Sequence, residues 1–211
     1  MKSPMIALAL AAGLTALATV SMSAGAADCN AEVAAAFQKQ RAAKSFRMAT
    51  NMVDERGVVL MTVDYELPFK MRQTVQVLNE KNPKEVILVG DQAWSKAGGD
   101  WEAVREELTQ ELVQHLKSTV VEPGPDPLDY RCQGEADIQG RKLKVFEGRQ
   151  PERKGENVSG IPVRRVFVDP ETGLPVRSEV APVGKPDVPF FRAAYSYPKD
   201  LAISPPAPKA Q

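Results

Sequence analysis

The segment Ser45–Leu78, SFRMATNMVDERGVVLMTVDYELPFKMRQTVQVL, decides the fold. Its apolar residues recur at every second position, the period of a strand with one buried face. Phe46, Met48, Thr50 and Met52 fall on one side of the first run, against Arg47, Ala49 and Asn51 on the other. Asp54-Glu55-Arg56-Gly57 reads as a turn, with Gly57 free to take a positive φ. Val59, Met61, Val63 and Tyr65 form the apolar side of a second run, which Pro68 ends. Phe69, Met71, Val75 and Val77 then alternate with Lys70, Arg72, Thr74 and Gln76. Three strands joined by short turns make an antiparallel meander with one greasy side.

Upstream, Asn30 is placed to cap a helix from Ala31 to about Lys44, with Val33, Ala34 and Phe37 as its apolar face. Downstream, Val86–Val89 is a short apolar run of the kind buried on both faces, and Ala93–Lys96 follows a Gly90-Asp91 turn as its partner. Asp100 is expected to cap a second helix, Trp101 to about Ser118. Its stripe is Trp101, Val104, Leu108, Leu112 and Leu116. Glu122-Pro123-Gly124-Pro125-Asp126-Pro127 is a stiff, non-helical connector. Beyond it, Tyr130–Ile138, Leu143–Glu147, Val163–Asp169, Leu174–Val180 and Phe190–Tyr197 read as strands. Asp169-Pro170-Glu171-Thr172-Gly173 is a hairpin connection between two of them. Nine or ten strands in one sheet favour strong curling, and two helices are the only cover for its apolar side. The expected fold class is α+β: a strongly curved antiparallel sheet, a half-open barrel, with two helices packed on its concave face. It forms a single domain over residues 27–200, followed by a Pro-rich flexible tail at 201–211.

The start of the chain bears on compartment. Lys2, an apolar run from Met5 to Val20 and Ala24-Gly25-Ala26 form the layout of a secretory signal peptide, residues 1–26, cleaved near Ala26. The run is short for a membrane span, and no transmembrane segment is expected in the mature chain. The expected location is the periplasm. Asp28 directly before Cys29 argues against lipidation, which places a small residue there. Cys29 and Cys132 are the two cysteines, and an even pair in an exported chain reads as one disulfide, the alternative being two free thiols. Lys+Arg and Asp+Glu balance at 27 each, so no nucleic-acid partner is indicated.

Three local motifs resemble the LolA-like superfamily, which includes the outer-membrane lipoprotein carrier, its receptor and related mycobacterial lipoprotein carriers. Leu88-Val89-Gly90-Asp91-Gln92-Ala93-Trp94-Ser95 with Asp100-Trp101 is similar to the strand-turn-strand before their lid helix. Val168-Asp169-Pro170-Glu171-Thr172-Gly173-Leu174-Pro175-Val176-Arg177 is similar to their "D..tGLP.r" hairpin, and Tyr195-Ser196-Tyr197 with Ile203 and Pro205 resembles their closing strand. The resemblance implies the same curved sheet and a binding role for an apolar ligand.

Enzyme chemistry has little to stand on. His115 is the one histidine and has no triad or metal-ligand partners at defined spacing. No nucleophile elbow, phosphate loop or zinc motif occurs. Neither a cofactor, a metal nor a catalytic residue is expected. Arg164-Arg165 and Arg141-Lys142 read as strand or turn surface, and Asn157-Val158-Ser159 as a chance glycosylation sequon. Met48, Met52, Met61 and Met71 all fall on the apolar sides of the first three strands, and methionine suits surfaces that accept irregular apolar shapes. With Trp94, Trp101, Leu108 and Leu112 they form the candidate lining of an acyl-chain pocket; the alternative is an ordinary core plugged by the helices. The leading expectation is a non-enzymatic periplasmic protein that binds a lipid, a lipoprotein acyl chain or another apolar ligand. The alternative is an envelope protein-protein interaction or sensory module with a filled core.

Overall fold

A computed structural model describes residues 28–55, 57–149, 162–185 and 187–207. The signal-peptide segment, the sequon at 157–159 and residues 208–211 lie outside them. Helix α1 (Cys29–Ala42) precedes strands β1 (Ser45–Asp54), β2 (Gly57–Glu66), β3 (Lys70–Val77), β4 (Lys84–Val89), β5 (Gln92–Ala97) and β6 (Glu102–Ala103). Helix α2 (Glu106–Leu116) runs into a π-helical turn, Lys117–Val121. Then come β7 (Asp129–Ile138), β8 (Arg141–Arg149), β9 (Val163–Val168), β10 (Pro175–Ala181) and β11 (Phe191–Ser196). Among the described residues these make one antiparallel sheet of eleven strands, ordered β6-β5-β4-β3-β2-β1-β11-β10-β9-β8-β7. It is open at β6 and β7. The fold is α+β, with a curved sheet and both helices on one face.

The alternation read from Ser45–Leu78 sets the register. Phe46 lies opposite Tyr65, Met48 opposite Val63 and Thr50 opposite Met61 in β1–β2, and Tyr65 lies opposite Met71 in β2–β3. All four strand methionines therefore share the helix-covered face. At the β9–β10 hairpin the Asp169 carboxylate accepts from the Glu171 and Thr172 amides, at 2.8 and 3.2 Å, and Gly173 takes φ 65°. This is an Asx-type turn closed by a residue that needs the left-handed region. On the opposite, convex face charged side chains are ordered into ladders. Arg47 Nε donates to Asp64 at 2.5 Å, and the Glu85 carboxylate receives Arg72 and Lys96, each at 2.8 Å.

Both helix starts differ from expectation. Asp28, not Asn30, caps α1, its carboxylate accepting from the Ala31 amide at 3.1 Å. Asn30 is drawn away by a longer-range partner: its Oδ1 accepts from the Tyr130 amide at 2.7 Å and ties α1 to β7. The second helix begins at Glu106 rather than Trp101. Residues 102–103 pair with β5, Trp94 opposite Ala103 and Ser95 opposite Glu102. Strand pairing wins over helix propensity there, and Arg105 occupies the N-cap without a side-chain hydrogen bond. The packed side of α2 shifts accordingly: Thr109 and Leu116 are buried, while Leu108 is 41% exposed.

Cys29 and Cys132 form a disulfide with Cα atoms 5.5 Å apart, across 103 residues. It fixes the start of α1 to the edge strand β7. The segment expected as a loose tail is anchored at one point: Ile203 is buried and its amide donates to Glu66 Oε2 at 2.8 Å. No helix of the described residues is long and apolar enough to cross a membrane.

Candidate functional site

Two filled cores lie on the concave face, one under each helix. Beneath α2, Phe46, Val63, Tyr65, Met71, Leu88 and Ala93 close around Leu116. Beneath α1, Val33 and Ala36 close on Tyr130, Phe146, Val166 and Val168. A cavity of about 720 Å³ sits between them, bounded by α1, the π-helical turn, the Pro123–Leu128 connector and the middle of the sheet. That volume is in the range of small-molecule sites. No displacement of α2 is needed to reach it, because the hollow lies beside that helix.

Its apolar wall is Val33 and Phe37 from α1, Phe46 and Met48 from β1, Val120 from the π-helical turn and Leu128 from the connector. Phe37 meets Tyr195 edge-on, with ring centroids 6.2 Å apart. The polar wall is organised by Arg164. Its Nε donates to Ser178 Oγ and its Nη1 to Asp126 Oδ2, both at 3.1 Å, and its guanidinium lies 5.1 Å from the Phe37 ring centroid. Tyr130 Oη also donates to Asp126 Oδ2, at 2.9 Å, and the Leu128 amide to Oδ1 at 3.1 Å. Asp126 thus holds the connector to both β9 and β7. Tyr130 can lie along its neighbour because Gly148 faces it: a Cβ there would stand 2.6 Å from the ring.

The tyrosines around this region are hydrogen-bonding groups, not anions. Burial, with a smaller contribution from nearby Tyr195, pushes the Tyr65 phenol up to about 12. Burial also raises Tyr130, Tyr195 and Tyr197. Each therefore stays protonated through the physiological range.

The expected pocket residues separate into three groups. Met48 lines the cavity. Met61, Met71 and Leu112 belong to the core beneath α2, where Gln73 Nε2 donates to Met61 Sδ at 2.9 Å; Met52 shares their sheet face but lies outside the cavity lining. Trp94, Trp101 and Leu108 are not brought to it. Trp94 lies opposite Ile87, on the side of the sheet away from Leu88 and α2. Lys96 Nζ stands 5.0 Å over the Trp101 ring.

Phe37, Arg41, Asp126, Tyr130, Arg164 and Tyr195 also line the cavity, and no motif in the sequence marks them for it. The pair Arg164-Arg165, expected as strand or turn surface, divides between the two faces. Alternation sends Arg165 outward, 3.7 Å from Glu147, and Arg164 inward. The expected strand Val163–Asp169 already carries that period-two signal.

No family model matches the sequence, and no curated protein matches it. Solved structures do. The lipoprotein LppX of Mycobacterium tuberculosis superposes with a TM-score of 0.57 at 15% identity, covering 83% of this chain and 98% of that one. LprF from Mycobacterium bovis gives 0.54 at 14% identity, covering 85% and 97%. The fold is that of LppX and LprF. A LolA superfamily protein from Nitrosomonas europaea is more distant, with a TM-score of 0.34 at 11% identity and coverage of 83% and 95%. The likenesses to LppX and LprF show the fold alone.

Proposed function

We propose that this is a non-enzymatic, exported carrier that binds a lipid, a lipoprotein acyl chain or another apolar ligand in the hollow between α1 and the connector. One observation carries the reading: a cavity of about 720 Å³ remains in the middle of a sheet whose two flanks are filled. A chain collapsing only for stability closes such space, since unfilled apolar volume costs contacts. An acyl chain entering along Phe46, Met48 and Val120 gains about 25 cal/mol for each Å² of apolar surface it buries. The disulfide accords with an oxidising compartment, and we place the mature protein in the periplasm.

Delipidated protein should take up a fluorescent long-chain fatty acid or its ester at micromolar concentration, about one per chain. Failure to take up either would overturn the carrier reading. A second reading, a module that docks an envelope protein, has one observation of its own. Val53, Val58, Leu60 and Leu78 are exposed together at one corner of the convex face. Recovery of one stoichiometric protein partner with no lipid, in native mass spectrometry of material from the envelope, would favour it.

A further inference from the structure

The cavity lining holds a cation that pairs with no described residue: of its two carboxylates, Asp126 is taken by Arg164 and Tyr130, and Asp129 stands exposed at the start of β7. Arg41 lines the cavity and is half-buried, yet its side chain forms no hydrogen bond or ion pair with any described residue. Arg164, the other cavity arginine, is already answered by Asp126 and Ser178. Arg41 stands one helical turn beyond Phe37, so it extends the same face of α1 that Phe37 presents to Tyr195 and Arg164. A guanidinium partly removed from water beside apolar walls favours an anion over a neutral group, and its planar fork matches carboxylate and phosphate oxygens. The four tyrosines remain neutral and offer no competing negative charge.

Resting on the carrier reading, we infer that the ligand is an acidic amphiphile. One acyl chain lies along Phe46, Met48 and Val120, and a carboxylate or phosphate head group sits on Arg41. The hollow thereby selects by charge as well as by greasiness. Neutral esters and alcohols of the same chain enter it more weakly, because they leave the guanidinium without its partner.

The test compares three fluorescent probes of one chain length: a fatty acid, the matching alkyl phosphate and the fatty acid methyl ester. The acid or the phosphate should bind about tenfold tighter than the ester, as expected for a hydrogen bond to a charged group. The tighter of the two identifies the head group. In Arg41→Gln the ratio of acid to ester affinity should fall towards one; Arg41→Lys, which keeps the charge, should retain most of it. Lys142→Gln, on the exposed edge of the β7–β8 hairpin, should leave the ratio as it is. Thermal melts of each variant establish that it is folded. Equal binding of acid and ester by the unmodified protein, or a preference that survives in Arg41→Gln, would overturn the inference and leave the carrier reading standing. Binding of no probe would remove both.

Discussion

The core beneath α2 and the hollow beside it are built on neighbouring stretches of the same strands, yet one is packed solid and the other keeps a cavity. Under α2 the contacts are side chain into side chain: Leu88, wholly buried, lies between Met71 and Ala93 in the register and under Leu116. Around the hollow the closure is polar and made by chain connections. Asp126 bridges the connector to Arg164 and Tyr130, and the disulfide pins α1. On the proposed carrier reading, stability and binding are divided along one sheet face. Methionine is concentrated on the filled side, with only Met48 lining the hollow. There it acts as an adaptable packing residue, filling irregular space under a helix.

The largest effect should come from the link that holds α1. Closing 103 residues gives a chain-entropy stabilisation of about 4–5 kcal/mol. Urea unfolding of Cys29→Ser/Cys132→Ser should show a loss of that order, and an unchanged midpoint would mean that α1 is held by its own packing. A matched pair of substitutions then sets core against hollow. Ala93→Leu, into the packed floor beneath α2, should cost about 2 kcal/mol through overpacking. Ala34→Leu, on the cavity side of α1, should change stability by less than about 0.5 kcal/mol. It adds bulk to the hollow, so it should also weaken uptake of the fatty acid probe. Equal stability costs at the two sites would erase the distinction.

The strands were legible because each signal was local. Period-two alternation located β1 to β3 and the Asp-Pro-Glu-Thr-Gly connection located the β9–β10 hairpin, since turn chemistry and pleat act within a few residues. The helix starts were not, because each was decided at a distance. Asn30 is claimed by an amide 100 residues away, and residues 102–103 by β5. The cavity was the least legible part. Its walls come from α1, the middle strands and a connector that the sequence presents only as a proline-rich spacer. A period-two pattern shows which side of a strand is apolar. It does not show whether a helix or empty space stands over that side, so Trp94, Trp101 and Leu108 were grouped with a pocket they do not line.

A modest stability effect should be the most informative about the hollow. The Asp126–Arg164 pair is about one-third exposed at each partner, a setting in which ion pairs contribute about 1 kcal/mol or less. Asp126→Asn keeps an oxygen for the Leu128 amide but no longer offers a carboxylate to Arg164 and Tyr130. Chemical denaturation should therefore register a loss of about 1 kcal/mol. Stopped-flow release of bound probe should be several-fold faster, because the connector is no longer fastened across the cavity. Arg164 also loses its counter-charge, so the preference for acid over ester should rise in this variant while it falls in Arg41→Gln. A stability loss on the scale of the Ala93→Leu variant would instead make the connector part of the cooperative core. Faster release with no change in selectivity would show that Asp126 fastens the connector without tuning the charge of the site.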